Sequence, residues 1–243
     1  MHPDRRRASD GLAAGAAEQT VAMDIDPAWL APTWFVDSDD AGVGAFAERA
    51  IDGATDPTER AIRLFVAVRD GFWYDPYNTD RRPEAFRASS VVRTSSNWCV
   101  PKAVLLTAAA RHCGIPARLG FADVRNHLTS AKLSAQMQTD IFAWHGFSEL
   151  LLGERWFQLS TAFNIELCRR FGVKVLDFDG TDDALMHPYD ESGNRHMEYV
   201  LKRGSFDDLP LDRILADFEA IYGSKLPSAV TSAADAGDEA FAP

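Results

Sequence analysis

The chain has 243 residues, 46% hydrophobic and 25% charged, with a net charge of −11. This is ordinary globular composition, and the length suits one domain with appendages. The acidic balance argues against a nucleic-acid or anionic-membrane partner. No apolar run approaches the roughly 20 residues that a membrane span needs.

In chain order, residues 1–19 are polar and rich in Ala and Gly, and are expected to be a disordered tail. Arg5–Arg7 are followed by no apolar core of signal-peptide length, so a cytoplasmic protein is expected. Residues 20–226 form the expected domain, and 227–243 a second loose tail. From Asp39 to Ala54, apolar residues recur at helical spacing. Asp56-Pro57 marks the start of a second helix, which Gly71 ends. Phe72 to Pro76 reads as extended, and 78–93 as a charged, irregular loop.

A long apolar helix then opens at Cys99 and ends near Gly114. Strands are expected over 115–124, 141–152 and 155–160, the last two joined by the Gly153-Glu154 turn as a hairpin. Residues 126–139 read as a loop with a short helix. A short helix over 164–172, a strand over 173–178, an acidic loop over 179–193, a strand over 195–201 and a helix over 210–222 complete the chain. Helices first and then mostly consecutive strands make an α+β pattern with an antiparallel sheet.

The chemistry concentrates at Asn97-Trp98-Cys99. Cys99 falls in the first turn of its helix, where free N–H groups and the helix dipole favour a negative charge. A thiol there is expected to ionise more easily, and the thiolate is the nucleophile. His145, within Trp144-His-Gly-Phe-Ser-Glu149, is the candidate base. A strand histidine satisfied by a backbone carbonyl is the plainer reading of the same residue. Asn97 is either an oxyanion donor or simply a helix-entry residue, and Trp98 is either packing or the wall of an acyl slot. Cys113 and Cys168 read as core, and an odd cysteine count without framework spacing suits a reducing compartment. No paired cysteine spacing suggests zinc, and the 177–183 aspartates lack the alternation of an EF-hand loop.

Cys99 at a helix start, Gly114-Ile-Pro-Ala-Arg118, His145 with Glu149, and Trp156 after a hairpin turn occur in that order. The arrangement resembles the transglutaminase-like core, a papain-related cysteine superfamily, over roughly 60–164. The resemblance implies a papain-like α+β fold, with N-terminal helices and a nucleophile helix packed on an antiparallel sheet. It also implies Cys99 as nucleophile and His145 as general base and acid. The family's orienting Asp falls at Ser160 in this chain, within Leu159-Ser-Thr-Ala-Phe-Asn164. Ser160 is the first choice for that role by position, and Asn164 the alternative, since a Cys-His-Asn set also works. Asp123 and Asp140 are further carboxylates that folding can bring near. Arg118 is a candidate for binding a substrate carboxylate.

The expected activity is cysteine-dependent acyl transfer on the amide of a peptide or protein, as a peptidase or amidase rather than a crosslinking enzyme. No cofactor or metal is expected. The alternative is a weak or inactive relative that binds a peptide or protein.

Overall fold

The structure, a computed structural model, describes residues 24–77, 80–127, 139–187 and 189–223. Both expected tails and most of the 126–139 loop lie outside these residues. Six α-helices of one to four turns, two short 3-10 turns and two β-sheets account for the regular structure among them: α1 (Ala41–Ile51), α2 (Pro57–Gly71), α3 (Ala88–Val91), α4 (Cys99–His112), α5 (Ile165–Phe171) and α6 (Leu211–Tyr222) are the helices. The strands are β1 (Trp73–Tyr74), β2 (Ser96–Asn97), β3 (Ala117–Asn126), β4 (Ile141–Leu152), β5 (Arg155–Leu159) and β6 (Met197–Phe206).

Local chemistry sets the boundaries. Asp40 caps α1 by accepting from the Gly42 and Val43 N–H groups, and Asp56 caps α2 by accepting from Glu59 N–H. Pro57 occupies the first position of α2, where its missing N–H costs nothing. Part of the stretch expected to be irregular, 78–93, is ordered: Pro83–Phe86 form a 3-10 turn and Ala88–Val91 a helical turn. Asp37 holds this segment, accepting from Ser89 N–H and pairing with Arg87.

The main sheet has the order β5-β4-β3-β6, antiparallel throughout. The strand expected over 173–178 does not form. Val173, Leu176 and Phe178 are buried, so the segment packs on the core without pairing. The edge of β5 is instead met by Ala184, and the Leu176 carbonyl is taken by the Arg69 guanidinium. A segment without an edge to pair with stays extended and packs.

Helix α4 is buried along almost its whole length, as its apolar sequence requires. Its polar side chains are tied to backbone. Lys102 is fully buried, and its ammonium donates to the carbonyls of Arg69, Phe72 and Ala162 at 3.0, 2.7 and 3.0 Å. One amine thereby caps the end of α2 and fixes the loop after β5. Burial pulls its pKa down to about 7, and three carbonyls for three N–H groups favour the ammonium form. Ser148 of β4 donates to the Ala103 carbonyl at 2.9 Å, and Thr107 donates to Ser148 at 3.1 Å.

The first turn of α4 meets β4 at Gly146. A Cβ there would lie 3.0 Å from the Val100 Cα. Just before it, two steps on β3 (Ala122 to Val124) oppose three on β4 (Phe142 to His145), so β4 carries a bulge. Trp144 in that bulge has φ 58°, a left-handed conformation that costs a non-glycine residue about 1–2 kcal/mol.

Replacing Gly146 by Ala is expected to destabilise the fold by about 1–3 kcal/mol, since the new methyl meets backbone rather than a movable side chain. Urea unfolding measures this. An unchanged midpoint would show that α4 and β4 are not held at this separation.

Candidate active site

Cys99 is the first residue of α4, and His145 follows the bulge in β4. β5 pairs with β4 only over residues 148–152, so Gly146 and His145 lie beyond its end, where α4 begins. Both side chains are buried, and both line one pocket. The pocket walls are mostly apolar: Phe86 and Trp98 before α4, Phe142 on β4, Phe163 after β5, and Leu215 and Phe218 on α6. Trp98 packs against Phe86 and Phe218, with ring centroids 6.0 and 6.1 Å away.

Ser160 is fully buried, and its Oγ is hydrogen-bonded to His145 Nε2 at 3.2 Å. The Ser160 N–H donates to the Ala184 carbonyl, which fixes the residue at the end of β5. The ring edge also rests against Tyr199 of β6, at 6.1 Å between centroids. With Nε2 engaged by Ser160, Nδ1 is the nitrogen left to take a proton.

The other candidates are engaged elsewhere. The Asn164 Oδ1 accepts from Tyr74 N–H at 3.2 Å. Asn97 is buried, its Oδ1 accepting from Trp98 N–H, and it does not line the pocket. Arg118 is outside the pocket as well. It pairs with Glu149 at 2.6 Å, and its guanidinium lies 4.2 Å from the centre of the Trp156 ring. Asp140 pairs with Arg125, and Asp123 accepts from Trp144 N–H and pairs with Arg203. Among the described residues, no group of three or more His, Cys, Asp or Glu side chains is arranged to hold a metal ion.

The electrostatics of the pair differ from the expectation of an easily ionised thiol. Burial pushes Cys99 up to about 11, although the N–H groups of Gly146, Val100 and Cys99 itself and the Lys102 ammonium pull the other way. Burial also pushes His145 down to about 4. Helix-start donors are present as the sequence indicated, but removal from water outweighs them. At neutral pH the resting pair is therefore thiol and neutral imidazole, not an ion pair.

The features that sequence reasoning missed are Gly146, Lys102 and the pocket wall from α6. The lysine had a signal, as the one charged residue between Cys99 and Ala110. The α6 contacts had none, because they depend on how the end of the chain returns to β4.

Residues 44–161 match the transglutaminase-like superfamily. No curated protein sequence matches the chain. A solved structure from Cytophaga hutchinsonii, described provisionally as a cysteine protease, is similar at 16% identity and a TM-score of 0.48. The match covers 76% of this chain and 49% of that one, so this chain spans about half the length of that protein.

The raised Cys99 pKa sets a pH dependence. A thiol that stays protonated up to about pH 11 reacts with iodoacetamide tenfold faster for each pH unit, with no plateau below that value. Peptide mapping by mass spectrometry distinguishes Cys99 from half-buried Cys113. A rate for Cys99 already level between pH 6 and 8 would contradict the neutral pair.

Proposed function

We propose that this chain is a cysteine-dependent amidase or peptidase, built as one domain over residues 20–226, with Cys99 as nucleophile and His145 as base and acid. The observation that carries the reading is a pocket walled by both Cys99 and His145, with Ser160 hydrogen-bonded to Nε2 of the imidazole. Because the pair rests neutral, proton transfer accompanies attack. Sγ bonds the carbonyl carbon as His145 Nδ1 takes its proton. The N–H of Cys99 at the start of α4 is the nearest helix-terminus donor for the oxyanion. His145 then protonates the amine, the C–N bond breaks, and a thioester remains on Cys99. Water gives a proton to His145 as it attacks the thioester, releasing a carboxylate and restoring the thiol.

Ser160 orients the imidazole without a charge to stabilise the imidazolium, so turnover is expected to be slow. The walls supplied by Trp98, Phe142, Phe163 and Phe218 suit an acyl group with an aromatic or branched apolar side chain. The buried, neutral pair and the hydroxyl at position 160 also favour a second reading, a module that binds an apolar peptide segment without turning it over.

A panel of acyl p-nitroanilides tests both. Hydrocinnamoyl anilide is expected to be cleaved at least about tenfold more efficiently than acetyl anilide, in keeping with burial of an aromatic group. Cys99→Ala and His145→Ala each abolish cleavage. Hydrolysis that survives Cys99→Ala sinks the proposal. Saturable binding of the hydrocinnamoyl compound with no cleavage and no thioester establishes the binding module instead.

A further inference from the structure

The bulge before His145 has no support from its own residues. Trp144 is bulky and fully buried, yet its backbone is left-handed, a conformation that persists only where the surroundings impose it. Four charged side chains surround it, among them Arg213 of α6, whose guanidinium lies 5.7 Å from the centre of the ring. Asp123 of β3 accepts from Trp144 N–H at 3.0 Å. Asp217 of α6 accepts from the indole N–H at 2.8 Å. Arg203 joins the two, donating to both Asp123 oxygens at 2.8 Å and to Asp217 at 2.6 Å. Its guanidinium also lies 5.0 Å from the centre of the Trp144 ring. Arg203 is itself the extra residue in a register shift, since Phe121 and Ala122 face Gly204 and Lys202.

A second anchor lies beside the first. The Tyr222 hydroxyl at the end of α6 accepts from Ala143 N–H at 2.6 Å and donates to the Ile141 carbonyl at 3.1 Å. The bulge therefore has its backbone and ring held from three elements. The family match ends at residue 161, so Arg203, Asp217 and Tyr222 lie beyond it.

We propose that Asp123, Arg203 and Asp217 form a clamp that holds Trp144 in its left-handed conformation and so sets His145 between Ser160 and the pocket of Cys99. These are positioning residues: they act on the base through the backbone of its neighbour. A carboxylate that the sequence offered as a partner for the His145 ring acts one residue earlier, on the chain that carries the ring. The proposal rests on the Cys–His reading for its catalytic meaning, but its geometry is testable without it.

The test is the long-range 1H–15N spectrum of the histidines in the whole chain, with His112 as internal reference. Wild type is expected to show His145 as one tautomer, with the proton on Nε2 toward Ser160. Arg203→Met removes both links to the carboxylates and keeps an apolar stem. It is expected to give mixed His145 tautomers, with His112 unchanged. Arg203→Lys keeps the charge without the fork and falls between the two. On hydrocinnamoyl anilide, kcat falls and KM stays. Arg155→Met, which removes a surface partner of Asp182 and Asp183, leaves every readout at wild type. Should Arg203→Met not fold, Asp217→Asn keeps the Asp123–Arg203 pair and gives the same tautomer readout. A folded variant of either kind with an unaltered His145 spectrum overturns the clamp. If His145→Ala leaves cleavage of hydrocinnamoyl anilide at the wild-type rate while Arg203→Met still shifts the tautomer, the Cys–His reading fails and the clamp stands.

Discussion

The close approach of α4 to β4 at Gly146 is the constraint on which the site depends. A side chain there would meet the backbone of Val100, 3.0 Å away. Glycine lets the first turn of the helix rest on the strand, and its own N–H then points at the Cys99 sulfur. Three polar side chains on α4 and β4 support that contact. Ser148 and Thr107 join helix to strand two turns further on, and Lys102 ties the helix to the end of α2 and the loop after β5. That loop begins at Ser160, so the residue behind His145 and the residue carrying the sulfur are fixed by the same helix.

The arrangement has an electrostatic consequence. A packed contact that excludes water raises the thiol and lowers the imidazole, both by desolvation. The helix-start donors and the nearby ammonium oppose this without reversing it. The same burial that sets the geometry keeps the pair uncharged, so under the proposed function thiol activation is tied to the arrival of a substrate. An apolar pocket fits this state, since filling it keeps water out while the proton moves.

Much of the fold was legible in the sequence because its signals are local. The caps at Asp40 and Asp56, the apolar run after Cys99 and the Gly153-Glu154 turn each announce an element from adjacent residues. The order of Cys99, the Gly114–Arg118 turn and His145 indicated the superfamily. Strand 173–178 failed because an apolar, β-branched run reports burial and says nothing of whether an edge is free to pair. The choice between Ser160 and Asn164 stayed open for a related reason. Both are buried polar residues on one loop, and only folding shows that Asn164 is engaged by the Tyr74 N–H while Ser160 meets the imidazole. The roles of Asp123 and Arg203 were out of reach, since they follow from register shifts that no local pattern encodes.

The central claim is that Gly146 brings Cys99 and His145 together as one working pair. Incubation with an activated hydrocinnamoyl thioester, followed by intact-mass and peptide mass spectrometry, tests it most directly. The account predicts one acyl group, on Cys99, formed by wild type and absent from His145→Ala. Acylation of Cys99 at the same rate without His145, or acylation only at Cys113, would contradict it.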